Sequence, residues 1–204
     1  MNYLYEFFWG IATAIFGLIA PGMLNMTALK ISINIGYKES MRFSIGAITV
    51  IFIQSLIGVF FADWLSKHEG VVLLLKQVGI VLFFGLSFYF FWLAYKNSKP
   101  GSQLKSPKGN YFFQGIGMSA LNMLAIPFYV AMALVYANKG LLRNTPEDFT
   151  VFCLGVGLGS FGIFFMYMRF ANFIKTRVGF IARNMNVILG CIFVLISSIT
   201  WYNL

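Results

Sequence analysis

Apolar residues run along the chain in long blocks, and polar residues gather between those blocks rather than alternating within them. Six blocks stand out, at roughly 4–28, 43–65, 71–95, 111–137, 149–171 and 184–202. Each is a run of about 20 residues with few internal charges, enough at about 1.5 Å per residue to cross a hydrocarbon core of roughly 30 Å. A membrane barrel would show short alternating segments instead. The pattern therefore predicts an all-α integral membrane protein of six transmembrane helices, with no soluble domain. The first block is N-terminal and apolar, as a signal peptide is. It carries Glu6 in place of a basic n-region and is too long for an h-region of about 7–15 residues, so it is read as a helix of the mature protein.

Composition agrees: 59% of residues are hydrophobic and 10% charged, a balance outside the soluble range. The formal charge of +9 does not point to nucleic acid, because its distribution follows the spans. Lys30, Lys38 and Arg42 follow the first block, Lys96, Lys99, Lys105 and Lys108 the third, and Arg169, Lys175, Arg177 and Arg183 the fifth. The other two connections are balanced by Asp63 and Glu69, then by Glu147 and Asp148. Basic charge thus alternates with every crossing, which places the first, third and fifth loops inside and both termini outside. Trp9, Trp64 and Trp201 fall near outer ends and Trp92 near an inner end, as aromatic belts do.

Residues 96–110 form the longest connection, rich in lysine, proline and glycine, and read as a cytoplasmic linker. They divide one membrane domain into two three-helix sets, residues 1–95 and 111–204. Because three is odd, the second set enters the membrane from the opposite side, the arrangement of a 3+3 inverted repeat. "LIAPGMLNM" in the first block and "ALNMLAIPF" in the fourth each place an asparagine and a proline close together, deep in a span. Proline cannot donate to the carbonyl four residues back, so Pro21 frees that of Gly17 and Pro127 that of Met123. With Gly22, they predict helix breaks at matching places in both sets. Paired interruptions mark the binding site of many transporters, although simple proline kinks give the same pattern.

These stretches resemble a known family. "PGMLNM" at 21–26 followed by "GYKESMRFSIGAITVIFIQSLIG" at 36–58 is similar to the first motif region of the LysE/RhtB amino-acid exporters, Pro-Gly-Pro-Asn-Asn ahead of a Gly-basic loop and a Gly-containing second helix. "LKQVGIVLFFGLSFYFFWLAYK" at 75–96, "GIGMSALNMLAIPF" at 115–128 and "RNMNVILGCIFVLI" at 183–196 extend the resemblance over nearly the whole chain. Met23 and Leu24 replace the second proline and first asparagine, while Asn25 is kept. In the second motif Asn122 is kept, and Met123 and Leu124 stand where Pro and Lys are expected. The resemblance implies export of an amino acid or derivative across the cytoplasmic membrane of a bacterium.

Enzymatic chemistry has nothing to work with inside the spans. All six acidic residues fall at predicted ends or in loops, and the one histidine, His68, falls in an outer loop. No paired carboxylates, metal cluster or activated nucleophile can be assembled, so no cofactor or metal is expected. Cys153 and Cys191 lie singly in the fifth and sixth blocks and read as small apolar residues. Gly155 and Gly159, with Gly157 and Gly162 nearby, read as a helix-packing face. What remains within the spans is Thr13, Asn25, Thr27, Thr49, Gln54, Ser55, Ser119 and Asn122. Asn25 and Asn122, beside the freed carbonyls of Gly17 and Met123, are the expected solute ligands. Gln54 is left open between that site and a helix–helix contact worth about 0.6 kcal/mol.

The expected function is a secondary transporter exporting a small polar metabolite through broken first and fourth helices. The alternative is a non-transporting membrane scaffold or subunit whose motifs no longer form a site. Expected partners are the lipid bilayer and a small polar solute, not nucleic acid. The coupling ion and homo-oligomerisation stay open.

Overall fold

The computed structural model describes residues 3–96, 109–122, 124–143, 145–171 and 185–202. Met123, Lys99, Lys105, Lys108, Lys175, Arg177 and Arg183, all used in the sequence argument, lie outside the described residues. The described elements are helical, without a strand among them: α1 (Leu4–Leu18), α2 (Met23–Asn34), α3 (Tyr37–Ser66), α4 (Glu69–Lys96), α5 (Tyr111–Ala120), α6 (Ala125–Asn138), α7 (Pro146–Arg169) and α8 (Met185–Tyr202).

The first and fourth apolar blocks are each two helices. α1 and α2 meet at 79°, and α5 and α6 at 64°. α3 and α7 are each long and apolar enough to cross a membrane alone, and each bent pair makes up a further candidate span. At the first bend Pro21 cannot donate to the Gly17 carbonyl and disfavours helical backbone at the residue before it. Gly22 is extended, with φ −82° and ψ 176°, and α2 starts directly after it. The helix then runs beyond the expected block, to Asn34. Gly36, with φ 145°, makes the turn into α3, a conformation that costs glycine nothing. α7 opens with Thr145 Oγ1 accepting from the Asp148 N–H and with Pro146 in the first turn, where a missing donor is harmless.

The chain packs as two units. Met1–Trp64 with Ser106–Thr176 form one, Leu65–Lys105 with Arg177–Leu204 the other. In the first, α1 runs parallel to α7, with Gly10 opposite Gly155 and Ala14 opposite Gly159. The backbones touch. A Cβ at Gly10 would lie 2.0 Å from the Phe152 carbonyl oxygen, and one at Gly155 2.1 Å from that of Phe7. The expected packing face of Gly155 and Gly159 is therefore real, whereas Gly162 faces open space. A second crossing is built the same way between α3 and α5. A Cβ at Gly46 would lie 2.1 Å from the Phe112 oxygen, and one at Gly115 2.0 Å from that of Phe43. All four contributions read Phe-x-x-Gly: 7–10, 43–46, 112–115 and 152–155.

α3 lies antiparallel to α7, with Phe60 against Phe149, Ser55 beside Cys153, Phe52 near Gly157, and Ser44 against Met168. Ala14, Leu24, Ala28, Phe43, Phe152, Val156 and Phe164 fill the core between these helices. The second unit pairs α4 with α8. There Ser87 Oγ donates to the Gly190 carbonyl at 3.0 Å, and the Phe91 ring covers Gly190 closely enough to exclude a Cβ. Cys153 is buried in the first unit and Cys191 exposed in the second; both are free thiols.

Candidate functional site

At the first break, residues 19–22, a helix end must dispose of carbonyls that no following N–H reaches. Side chains take them. The Asn25 carboxamide, two residues into α2, turns back and donates through Nδ2 to the Leu18 carbonyl and, at 3.1 Å, to that of Ala20. The Gly22 N–H also donates to Ala20, at 2.7 Å. Tyr167 Oη, from α7, donates to the Ile19 carbonyl at 2.9 Å and lies beside Asn25. Three consecutive carbonyls are thereby occupied.

The opposite lip of the same break is open. The first backbone bond of α2 runs from the Met26 N–H to the Gly22 carbonyl at 3.0 Å, and no side chain caps the helix. The N–H groups of Met23, Leu24 and Asn25 take no part in the helix ladder. Asn25 is 1% exposed, and its Oδ1 has no hydrogen-bond partner. The break thus presents backbone donors and one amide oxygen, while the carbonyls that Asn25 and Tyr167 occupy are those of Leu18, Ile19 and Ala20, not that of Gly17.

At the second break, between α5 and α6, three described N–H groups bond back to the chain. Leu121 N–H donates to the Gly117 carbonyl at 3.1 Å, Asn122 N–H to Ser119 at 3.0 Å, and Ala125 N–H to Asn122 at 3.1 Å. Gln54 Nε2 donates to the same Ser119 carbonyl at 3.1 Å, a contact between α3 and α5. Gln54 Oε1 and Ser119 Oγ are buried without partners. Pro127 lies just after this break, within the four residues over which a proline disrupts the preceding helical turn. It is the third residue of α6, where a proline removes a donor that the helix would leave unpaired.

Gln54, Ser119 and Asn122 are therefore brought together, and Asn25 with Pro21 and Gly22 form a separate group. Tyr167, beside Asn25, adjoins Met168 in sequence and Met168 touches Ser44, while Gln54 lies ten residues beyond Ser44 along α3. That is on the order of 15 Å at about 1.5 Å per residue. Asn25 and Asn122 do not occupy equivalent places, since one follows its break and the other, half-buried, lies within it. Gly17 packs under the ring of Phe128, whose Cε1 would be 2.8 Å from a Cβ there. Met123 lies outside the described residues.

The in-span hydroxyls are mostly self-contained: Thr13, Thr27 and Thr49 donate to carbonyls four residues back, and Ser55 to Phe52. Two features escaped the sequence analysis. Tyr167 is one of many aromatic residues in a span, and only the fold brings its hydroxyl to the break. Glu6 stands at a predicted end, yet it is buried at 5% exposure with Oε2 unpartnered.

A family model for LysE type translocators matches residues 15–202, across both breaks and both units. The chain belongs to this family. The resemblance read from the two motif regions is thus confirmed, and the protein is a member of a translocator family with helices suited to a membrane. Comparison with curated proteins and with solved structures gives no match. In this LysE type translocator the departures from the family pattern, Met23 and Leu24, fall on the first two residues of α2.

Proposed function

We propose that this translocator exports a small polar metabolite, an amino acid or derivative, across the cytoplasmic membrane of a bacterium. The observation that carries the reading is the first break: a helix interrupted inside the packed unit, with a buried amide whose oxygen has nothing to accept from. Irregular backbone at membrane depth is tolerated where protein or a solute pathway satisfies it. The six-span, 3+3 inverted reading, with both termini outside and residues 96–110 inside, draws support from the two Phe-x-x-Gly crossings. Each joins the first half of a broken helix to the long helix of the other three-helix set, α1 to α7 and α5 to α3. An inverted repeat would build one contact twice in this way.

A scaffold without transport is the second reading, favoured by the closure of Asn25 at 1% exposure. Cells loaded with a panel of radiolabelled amino acids separate the two. Expression of the wild-type chain is expected to speed efflux of at least one member severalfold over vector alone. Equal efflux of every member favours the scaffold.

A further inference from the structure

The two lips of the first break are chemically unlike, and that asymmetry names a ligand. At and just beyond the end of α1 the carbonyls of Leu18, Ile19 and Ala20 all accept, from Asn25, Tyr167 or Gly22. At the start of α2 the partial positive charge is left bare. Gly22 carries no side chain to accept from the first turn, and the backbone donors of Met23, Leu24 and Asn25 stand outside the helix ladder. α2 is 12 residues long, so its first turn carries a developed dipole.

A second observation is independent of the helix end. The Asn25 carboxamide is held across the break by its own Nδ2, and its Oδ1 is consequently fixed there too, 99% buried and without a partner. Buried polar atoms without partners are rare, and each such atom calls for an explanation.

Resting on the transporter reading, the geometry points to a carboxylate subsite at the first break: the free N–H groups of Met23, Leu24 and Asn25 receive a solute carboxylate, and Asn25 Oδ1 receives a donor of the same solute. An anion at a helix N-terminus gains from both the dipole and the aimed N–H groups. The lysines and arginines of the first unit whose side chains are described are all exposed, so backbone donors here do what a cationic side chain does elsewhere. The second break offers a poorer place, since at the start of α6 the Ala125 N–H is occupied and Pro127 has none.

Gly22 provides the test. Its φ of −82° suits any residue, and a Cβ there meets nothing closer than the Ala20 oxygen at 3.9 Å. Gly22→Asp places a carboxylate at the cap position, where it accepts from the first-turn N–H groups and occupies the subsite from within. The purified protein in detergent is melted with and without millimolar amounts of each amino acid of the panel, its methyl ester and its decarboxylated amine. For the wild type, at least one amino acid is expected to raise Tm by several degrees, with its ester and amine giving less than a third of that shift. Gly22→Asp is expected to melt higher than wild type without ligand, to lose the ligand shift, and to transport at a tenth of the wild-type rate or less per folded molecule. Gly22→Ser, a neutral cap, is expected to fall between the two.

The inference is overturned if no carboxylate shifts the wild type, if the amine works as well as its parent, or if Gly22→Asp keeps the shift. A wild type that is shifted by an amino acid but moves none of the panel overturns the transporter reading and supports the subsite.

Discussion

The two broken helices begin alike and close in opposite ways. Each first half is pinned by a glycine crossing to a long helix, α1 on α7 and α5 on α3. Beyond the crossings they diverge. At the second break Gln54 Oε1 and Ser119 Oγ stay without partners, while the described N–H groups of Leu121, Asn122 and Ala125 return to backbone acceptors about one turn earlier. The first break cannot do so, because Pro21 has no N–H and Gly22 is extended. It borrows Asn25 and Tyr167 for its acceptors and leaves its donors unused. What sets the first break apart is its run of three successive helix-start donors beside a buried amide oxygen, all at one helix end.

That contrast orders the expected effects of substitution. The largest fall on the shared part. Gly10→Ala and Gly115→Ala each drive a methyl group to 2.0 Å from a carbonyl oxygen of backbone that cannot yield. Each should cost about 3 kcal/mol or more. Thermal unfolding in detergent should show both variants damaged to a similar degree; severe loss at one crossing and none at the other would break the equivalence of the two halves.

Next come the side chains that close the first break. Asn25→Leu strands the partly buried Leu18 carbonyl, at about 1 kcal/mol or more, so expression should drop along with transport. Purely local loss of function with unchanged melting would show that those bonds do not hold the break. Tyr167→Phe removes one donor from the Ile19 carbonyl and should cost about 1 kcal/mol. Gln54→Leu should cost least, below about 1 kcal/mol, because the Ser119 carbonyl keeps the Asn122 N–H. A melting temperature that falls further for Gln54→Leu than for Asn25→Leu would reverse the contrast.

The helical class and the position of the first break were legible in the sequence. Apolar blocks and a Pro-Gly pair are local signals, and backbone geometry obeys them wherever the chain goes. The Phe-x-x-Gly words were equally visible, but only Gly155 was singled out, because a glycine in a span acquires meaning from the backbone it touches. Asn25 was found beside the Pro-Gly pair, but its bonds to the Leu18 and Ala20 carbonyls depend on how the chain folds back at the break and were not legible. Tyr167 lies 148 residues from Ile19, and no sequence pattern announces a hydrogen bond at that separation. The burial of Glu6 was hidden for the same reason, since it depends on how α1 packs and not on its place in the helix.

Backbone amide hydrogen exchange reads the central claim most directly. Peptides covering residues 22–26 and 121–126 are followed in the purified protein, with and without a saturating amount of the amino acid that stabilises it. The account predicts slower exchange at Met23, Leu24 and Asn25 when that amino acid is bound, and unchanged exchange at Leu121, Asn122 and Ala125, whose N–H groups are already bonded. Protection confined to the second break, or equal at both, would contradict it.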